Sequence, residues 1–223
     1  MAKKPARKEK AKAKPVAKAK RPANAVKAVK SVKAVPVAKQ EKASREVEIT
    51  VVNIVVSTSL EESIPLEKMA ATLPNTEYNP EQFPGLVIRI KDPKTSALIF
   101  SSGKVVCTGA RSMDKVRDSI NQIIKALEKI KVKVKIEPVI KIQNIVASGS
   151  VGMDLNLNTL AMKLKNTEYE PEQFPGLVYK LIEAKATFLL FSNGKVVCTG
   201  TKSEEEVHRA LDMLIVNLKR VMK

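Results

Sequence analysis

Residues 75–109 and 166–200 of this 223-residue chain are two versions of one segment. The first reads NTEYNPEQFPGLVIRIKDPKTSALIFSSGKVVCTG and the second NTEYEPEQFPGLVYKLIEAKATFLLFSNGKVVCTG; by direct count 23 of 35 positions are identical at an offset of 91. The same offset sets Asn53-Ile54-Val55 over Asn144-Ile145-Val146, and Ile120, Ile123, Ile124 and Leu127 over Leu211, Leu214, Ile215 and Leu218, with no gap. Two copies are too few for a solenoid, which needs about three or more. They suit one body with internal pseudo-twofold symmetry, built like a homodimer joined in a single chain. The chain is expected to make one structure twice.

Each copy carries the same element signals. A β-branched run near residues 48–56 predicts a strand. Pro65 followed by helix formers predicts a short helix over 65–71. Residues 86–91, 97–101 and 104–109 read as three short strands, punctuated by Asp92-Pro93 and Ser102-Gly103, and links so short imply an antiparallel meander. Ser112 is placed to cap a long helix with Met113, Val116, Ile120, Ile123, Ile124 and Leu127 at helical spacing. Ser203 opens its counterpart, which has acids in the first turn and bases in the last, as the helix dipole prefers. The expected class is α+β.

The sheet has one apolar face more than the helices can cover. Successive strand residues point to opposite faces, so Val105 and Cys107 oppose Val106 and Thr108, Ala97 and Ile99 oppose Leu98 and Phe100, and Val52 and Ile54 oppose Asn53 and Val55. One set is wholly apolar and should pack under helices. The other mixes Val, Leu and Phe with neutral Asn and Thr, whereas a face left to water normally carries charge. Two such sheets joined edge to edge expose a broad apolar surface, and patches of that size usually mark a binding site. Its ligand is flat or grooved and offers acceptors to Asn and Thr. Protein docking and homodimerisation satisfy the same description.

Charge points elsewhere than first sight suggests. The net charge is +17, but residues 1–45 hold 13 Lys and 3 Arg against Glu9 and Glu41, a net of +14. Residues 46–223 keep 24 basic and 21 acidic groups, a net of only +3. The first 45 residues lack aromatics, Leu and Ile and are spaced by Pro5, Pro15, Pro22 and Pro36. They are expected to form a disordered cationic arm suited to non-specific phosphate contact. No apolar run reaches the roughly 18 residues of a membrane span, and no apolar stretch of a secretory signal follows the first lysines. Two cysteines and the single His208 cannot make a four-ligand Cys/His zinc site. They also leave little material for nucleophile–base catalysis, so neither an enzyme nor a cofactor is expected. Unpaired thiols fit a reducing compartment.

The duplicated FPGLV, the LIFSSGKVVCTG and LLFSNGKVVCTG segments and the NIV strands resemble the TATA-box-binding protein family over essentially all of residues 46–223. The FPG in both halves is more similar to the archaeal form. The resemblance implies a saddle of two repeats, 46–136 and 137–223: a ten-stranded curved antiparallel sheet with an open concave face and four helices on the convex back. It implies a general transcription factor that sits in the minor groove of A·T-rich promoter DNA, bends it, and recruits a transcription factor IIB-type protein and, indirectly, RNA polymerase. Such a protein is cytoplasmic and nucleoid-associated, or nuclear in a eukaryotic source. The alternative left by the residues is a non-enzymatic interaction scaffold, or a homodimer off DNA, that uses the same face for protein.

By this resemblance Asn53, Thr108, Asn144 and Thr199 donate to minor-groove acceptors, and Val55, Val106, Val146 and Val197 pack beside them. Phe83 with Phe100, and Phe174 with Phe191, are the two pairs of wedging rings; Leu98 and Leu189 flank them, with Pro84 and Pro175 alongside. Arg89, Lys180, Lys104 and Lys195 are rim contacts to phosphate. Phe188, Cys107 and Cys198 alternate to the helix-covered face, and His208 has a solvated or capping role. A nearly symmetric saddle can bind in two directions, so departures such as Asn79 against Glu170 matter. Glu170 and Glu172 are expected to dock the IIB-type factor and set direction. Lys219-Arg220-Val221-Met222-Lys223 stands where the archaeal family often has a short acidic tail.

Overall fold

The computed structural model describes residues 47–135 and 137–222; the expected arm, residues 1–45, lies outside them. Among the described residues there are ten strands: β1 Val47–Ser59, β2 Thr76–Glu77, β3 Gly85–Ile90, β4 Thr95–Phe100, β5 Lys104–Ala110, β6 Lys141–Val151, β7 Thr167–Glu168, β8 Leu177–Leu181, β9 Ala186–Leu190 and β10 Lys195–Thr201. Four α-helices accompany them: α1 Leu66–Thr72, α2 Met113–Lys129, α3 Leu157–Lys163 and α4 Glu204–Val221, with a 3-10 turn at Ile182–Ala184. The strands form one antiparallel sheet in the order β2-β3-β4-β5-β1-β6-β10-β9-β8-β7. Read from either edge, each half runs through the same sequence of strands. The sheet is open, with the two-residue strands β2 and β7 at its edges.

Local chemistry accounts for the helix starts. Ser112 Oγ accepts from the Lys115 N–H at 3.4 Å, and Ser203 Oγ from the Glu206 N–H at 3.2 Å. Glu206 returns the favour by accepting from the Lys202 N–H at 2.7 Å. Asn156 caps α3 in the same way, accepting from the Thr159 N–H at 3.0 Å. Each cap satisfies an amide that the first helical turn leaves without a carbonyl partner, an effect of about 1 kcal/mol.

The helices cover one face only. Under α1 and α2 lie Ile54, Val56, Leu86, Ala97, Ile99, Val105 and Cys107; under α3 and α4 lie Ile145, Ala147, Leu177, Phe188, Leu190, Val196 and Cys198, all buried. Phe188 and both cysteines therefore sit where strand alternation puts them, and His208 is exposed. The two cores meet at the seam between β1 and β6, where Val51 and Ile142 pack against both. Gly149 allows this seam to close tightly: a Cβ there would run into the Glu48 carbonyl oxygen and stand 2.8 Å from Ile49 Cα.

One alternation assignment is corrected. Val52 was expected on the helix side with Ile54, but it is 37% exposed. The pairing of β1 with β6 passes from Val51↔Ala147 to Asn53↔Val146, leaving Val52 as the extra residue of a bulge. Val51 takes the inward place instead. A matching irregularity leaves out Gln143, since Val55 pairs with Asn144 and Val56 with Ile142. Bulges flip the parity of everything that follows them.

Candidate nucleic-acid interface

The face away from the helices is built in rows that cross the sheet. On one side, Val87, Leu98, Val106 and Ser57 lie side by side; on the other, Val178, Leu189, Val197, Ser148 and Thr50. At the centre the seam pairs Asn53 with Val146 and Val55 with Asn144. All of the expected Asn, Thr and Val positions are partly exposed on this face. The predicted centre is thus brought together from both repeats, with each Asn beside the other repeat's Val.

The Asn and Thr side chains are held in a fixed arrangement, identical in the two halves. Asn53 Nδ2 donates to Thr108 Oγ1 at 3.2 Å, and Asn53 Oδ1 accepts from the Gly109 N–H at 2.7 Å. Asn144 Nδ2 donates to Thr199 Oγ1 at 3.1 Å, and its Oδ1 accepts from the Gly200 N–H at 2.8 Å. Committing the amide oxygen to a backbone donor fixes the amide's polarity, so one N–H of each Asn remains for a ligand. Each threonine hydroxyl also donates to its Asn Oδ1, at 3.3 Å, and can turn that proton outward to a ligand because the oxygen keeps the glycine N–H. The face therefore offers uncharged donors.

Gly109 and Gly200 make this possible. Thr108 and Gly109 together oppose the single residue Val55 in the β1–β5 ladder, and Thr199 and Gly200 oppose Val146 in the same manner. Both glycines have positive φ, 101° and 103°. A Cβ on Gly109 would meet the Lys94 carbonyl oxygen at 3.0 Å, and one on Gly200 the Lys185 carbonyl oxygen at 2.8 Å. These are bulges whose second residue is glycine, and they swing the threonine to its asparagine.

At each end a pair of phenylalanines stands on the same face. The Phe83 and Phe100 rings have centroids 5.8 Å apart at 61°, and those of Phe174 and Phe191 are 5.9 Å apart at 67°; both are edge-to-face contacts. Phe83 is 41% exposed despite being a large apolar ring. Each pair is seated over a glycine. A Cβ on Gly85 would stand 2.7 Å from Phe83 and 3.1 Å from Phe100, and one on Gly176 would stand 2.6 Å from Phe174 and 3.1 Å from Phe191. The third residue of FPG is thus part of the site. Its appearance in both copies is the sequence signal for it. Pro84 and Pro175 are exposed beside the rings.

Other expected residues divide. Leu98 is partly exposed on the face, whereas Leu189 shares the row but is only 8% exposed. Lys104 and Lys195 are exposed at the starts of β5 and β10. Arg89 is engaged: its guanidinium meets Glu77 through Nη1–Oε1 at 2.6 Å and Nη2–Oε2 at 3.1 Å. Lys180, its counterpart, is exposed and forms no ion pair among the described residues. Glu170 and Glu172 are exposed in the turn that leads into Phe174, where the Glu170 carbonyl oxygen accepts from the Gln173 N–H at 3.0 Å and the Phe174 N–H at 2.9 Å. Beside this turn lies a groove of about 700 Å³ lined in part by Tyr169, Pro171 and Pro175. Val87, Val178, Ser57 and Ser148 belong to the face by register and were not singled out from the sequence. Strand alternation would have found the two valines.

Comparisons with known proteins agree with this geometry. The family model described as "Transcription factor TFIID (or TATA-binding protein, TBP)" matches residues 48–130 and 139–221. The TATA-box-binding protein of Methanocaldococcus jannaschii is 51% identical over 178 residues, covering 80% of this chain and 97% of that one. The one from Archaeoglobus fulgidus is 48% identical over 177 residues, covering 78% and 97%. The solved structure of Methanococcus jannaschii TBP superposes with a TM-score of 0.74 at 51% identity, covering 78% of this chain and 99% of that one.

Proposed function

Because this chain belongs to the TATA-binding protein family, we propose that it is a general transcription factor that binds A·T-rich promoter DNA through the minor groove and bends it by wedging phenylalanines. The observation that carries this reading is the uncovered apolar face with neutral Asn and Thr donors at its centre and a glycine-seated Phe pair at each end.

The minor groove of A·T pairs shows only acceptors, at similar positions for A·T and T·A, while G·C adds the guanine amine. One free N–H on Asn53 and on Asn144, with the Thr108 and Thr199 hydroxyls, meets those acceptors. Val55, Val106, Val146 and Val197 leave an intruding amine no partner, which penalises G·C. The result is selection of A·T-rich steps with little preference between A and T. The minor groove is too narrow for a flat sheet, so the duplex has to open. For wedge-bearing minor-groove proteins, this family among them, unstacking costs about a few kcal/mol per step. Burial offsets it: each 100 Å² of apolar surface removed from water contributes roughly 2.5 kcal/mol before ordering costs. Flexible pyrimidine–purine steps lower the deformation energy further.

Lys104, Lys195 and Lys180 contact phosphates at the rims. Arg89 joins them only by exchanging the Glu77 carboxylate for a phosphate, an exposed pair worth about 0–1 kcal/mol. The basic arm, residues 1–45, contacts flanking phosphates, each neutralised phosphate adding about 0.9 to the log–log salt slope. Glu170 and Glu172, on a turn braced by its own hydrogen bonds beside an open groove, dock the IIB-type factor and so set the direction of assembly.

Fluorescence energy transfer across a TATA-containing duplex tests the reading. Wild-type protein brings the labelled ends together, and the Phe83→Ala/Phe174→Ala protein does not. Straight DNA with wild-type protein overturns it in favour of a scaffold or homodimer, which sedimentation of the free protein would then show as a stable dimer.

A further inference from the structure

The second repeat carries, on its helix side at the sheet edge, a groove whose apolar lining the fold does not require. It lies between the end of α3, the end of β8 with the 3-10 turn after it, and the outer flank of α4, and has a volume of about 590 Å³. Tyr179, Met213 and Val216 line it, and Asn217 Nδ2 donates to the Tyr179 hydroxyl at 3.0 Å. Val216 is 65% exposed. Two further exposed apolar residues adjoin lining residues: Met162, 80% exposed, precedes Lys163, and Ile182, 61% exposed, precedes Glu183. At the offset of 91 the first repeat has Gln122 for Met213, Lys125 for Val216, Lys91 for Ile182 and Ala71 for Met162. The same fold is built without them.

Charge decides what this groove accepts. Lys163, Lys165, Lys180 and Arg220 line it against Glu183 and Asp212, and among the described residues none of the six forms an ion pair. The excess is positive. The chain's own first 45 residues carry +14 and are repelled from it, and residues 46–223 of a second copy, at +3, bring no net negative charge to match it. Lys163 Nζ donates to the Val221 carbonyl oxygen at 2.8 Å, and an apolar strip edged by cations free of ion pairs is the complement of a helix or strand with apolar residues on one side and carboxylates on the other. We infer that this groove docks an acidic amphipathic peptide segment of a partner protein, its apolar side chains against Met213 and Val216 and its carboxylates against Lys165 and Arg220. Only Lys180, assigned above to phosphate, borders both this groove and the DNA rim; the segment's contacts at Met213, Val216, Lys165 and Arg220 lie on the helix side, so it binds whether or not DNA is bound.

Fluorescence anisotropy of the full chain with a labelled synthetic peptide tests this. The peptide has about 15 residues, with Leu and Phe at helical spacing and Asp and Glu between them; its control replaces every acid with Lys. Two variants separate shape from charge. Met213→Gln/Val216→Lys installs the first repeat's residues and raises the net charge, yet it is expected to weaken binding about tenfold or more because the apolar contact is lost. Lys165→Glu/Arg220→Glu, at exposed positions, is expected to weaken it at least as much, and the Lys control peptide not to bind. Saturating TATA duplex leaves the wild-type affinity within about twofold, a result that holds or fails independently of DNA bending. The inference is overturned if the acidic peptide does not bind wild type. It is equally overturned if Met213→Gln/Val216→Lys binds the acidic peptide as well as or better than wild type, which would make the attraction one of bulk charge. A wild-type dimer in sedimentation that this variant dissolves would assign the groove to a second copy.

Discussion

The two repeats differ sharply in where they tolerate change. On the open face, Asn53, Val55, Phe83, Pro84, Gly85, Phe100, Val106, Thr108 and Gly109 are matched by the same residue types 91 positions later. Under the helices Ile54, Leu86, Val105 and Cys107 are matched too, but other positions diverge: Ala97 against Phe188, Ile88 against Tyr179, Thr95 against Ala186 and Ser119 against Ala210. A core accepts such exchanges because only its total volume and apolarity must be kept. A surface that meets something outside the chain has to keep particular groups in particular places. The first repeat even holds a buried polar cluster, Thr95 Oγ1 with Ser119 Oγ at 2.8 Å, where the second has two alanines. The groups a ligand would read recur in both halves, while the cores mix kept and exchanged positions.

That equivalence can be broken most directly at the rings. Phe83→Ala and Phe174→Ala should each lower TATA affinity by a similar factor, about tenfold, and together by about a hundredfold with loss of bending, read by titration and energy transfer. A single variant that accounts for the whole loss would show that one end alone deforms DNA. The next largest effect concerns selectivity. Asn53→Leu and Asn144→Leu should each reduce the preference for TATA over a site with one central G·C pair by about 1–3 kcal/mol in competition binding. Unequal losses would measure the asymmetry introduced by Val52 and Gln143, the two bulge residues, one apolar and one hydrogen-bonded to Ser57 at 2.7 Å.

Smaller effects sharpen the contrast between the cores. A double-mutant cycle on Thr95→Ala and Ser119→Ala should give a coupling of about 1 kcal/mol in denaturant melts, because removing both partners together is milder than orphaning one. The smallest effect is alkaline. Burial pushes the Cys198 thiol up from 9.0 to about 12. Burial also raises Cys107, opposed there by hydrogen bonds to Ser119 and to the Thr108 backbone and Thr95. The unfolded chain thus releases the Cys198 proton first. Its contribution to stability is full below pH 9 and is lost as pH rises toward about 12. Melts between pH 9 and 11 should fall less steeply for Cys198→Ala than for wild type.

Much of this architecture was legible in one chain because duplication supplies an internal check. Strand alternation correctly sorted Val106 and Thr108 from Val105 and Cys107, and Ser112 and Ser203 marked helix starts. What escaped depends on contacts between distant segments. The displaced Val52 follows from how β1 meets β6, almost a hundred residues on. The edge strands β2 and β7 have two residues each, too short for any period to register. Leu189 has the right parity for the face, and only the packing around it shows it covered. The Arg89–Glu77 pair requires β2 to lie beside β3, and the glycine amides behind Asn53 and Asn144 require a bulge that no local pattern announces.

The seam between β1 and β6 joins the halves by one ladder running from Val47↔Val151 to Ser57↔Lys141, bulged at Val52 and Gln143 and drawn close at Gly149. A hinge would let each ring pair find its own base step. On the proposed reading this ladder instead makes the molecule a ruler: the separation of the two steps the rings would deform is written into the protein. A promoter with one base pair too many or too few between them would have to twist itself to comply.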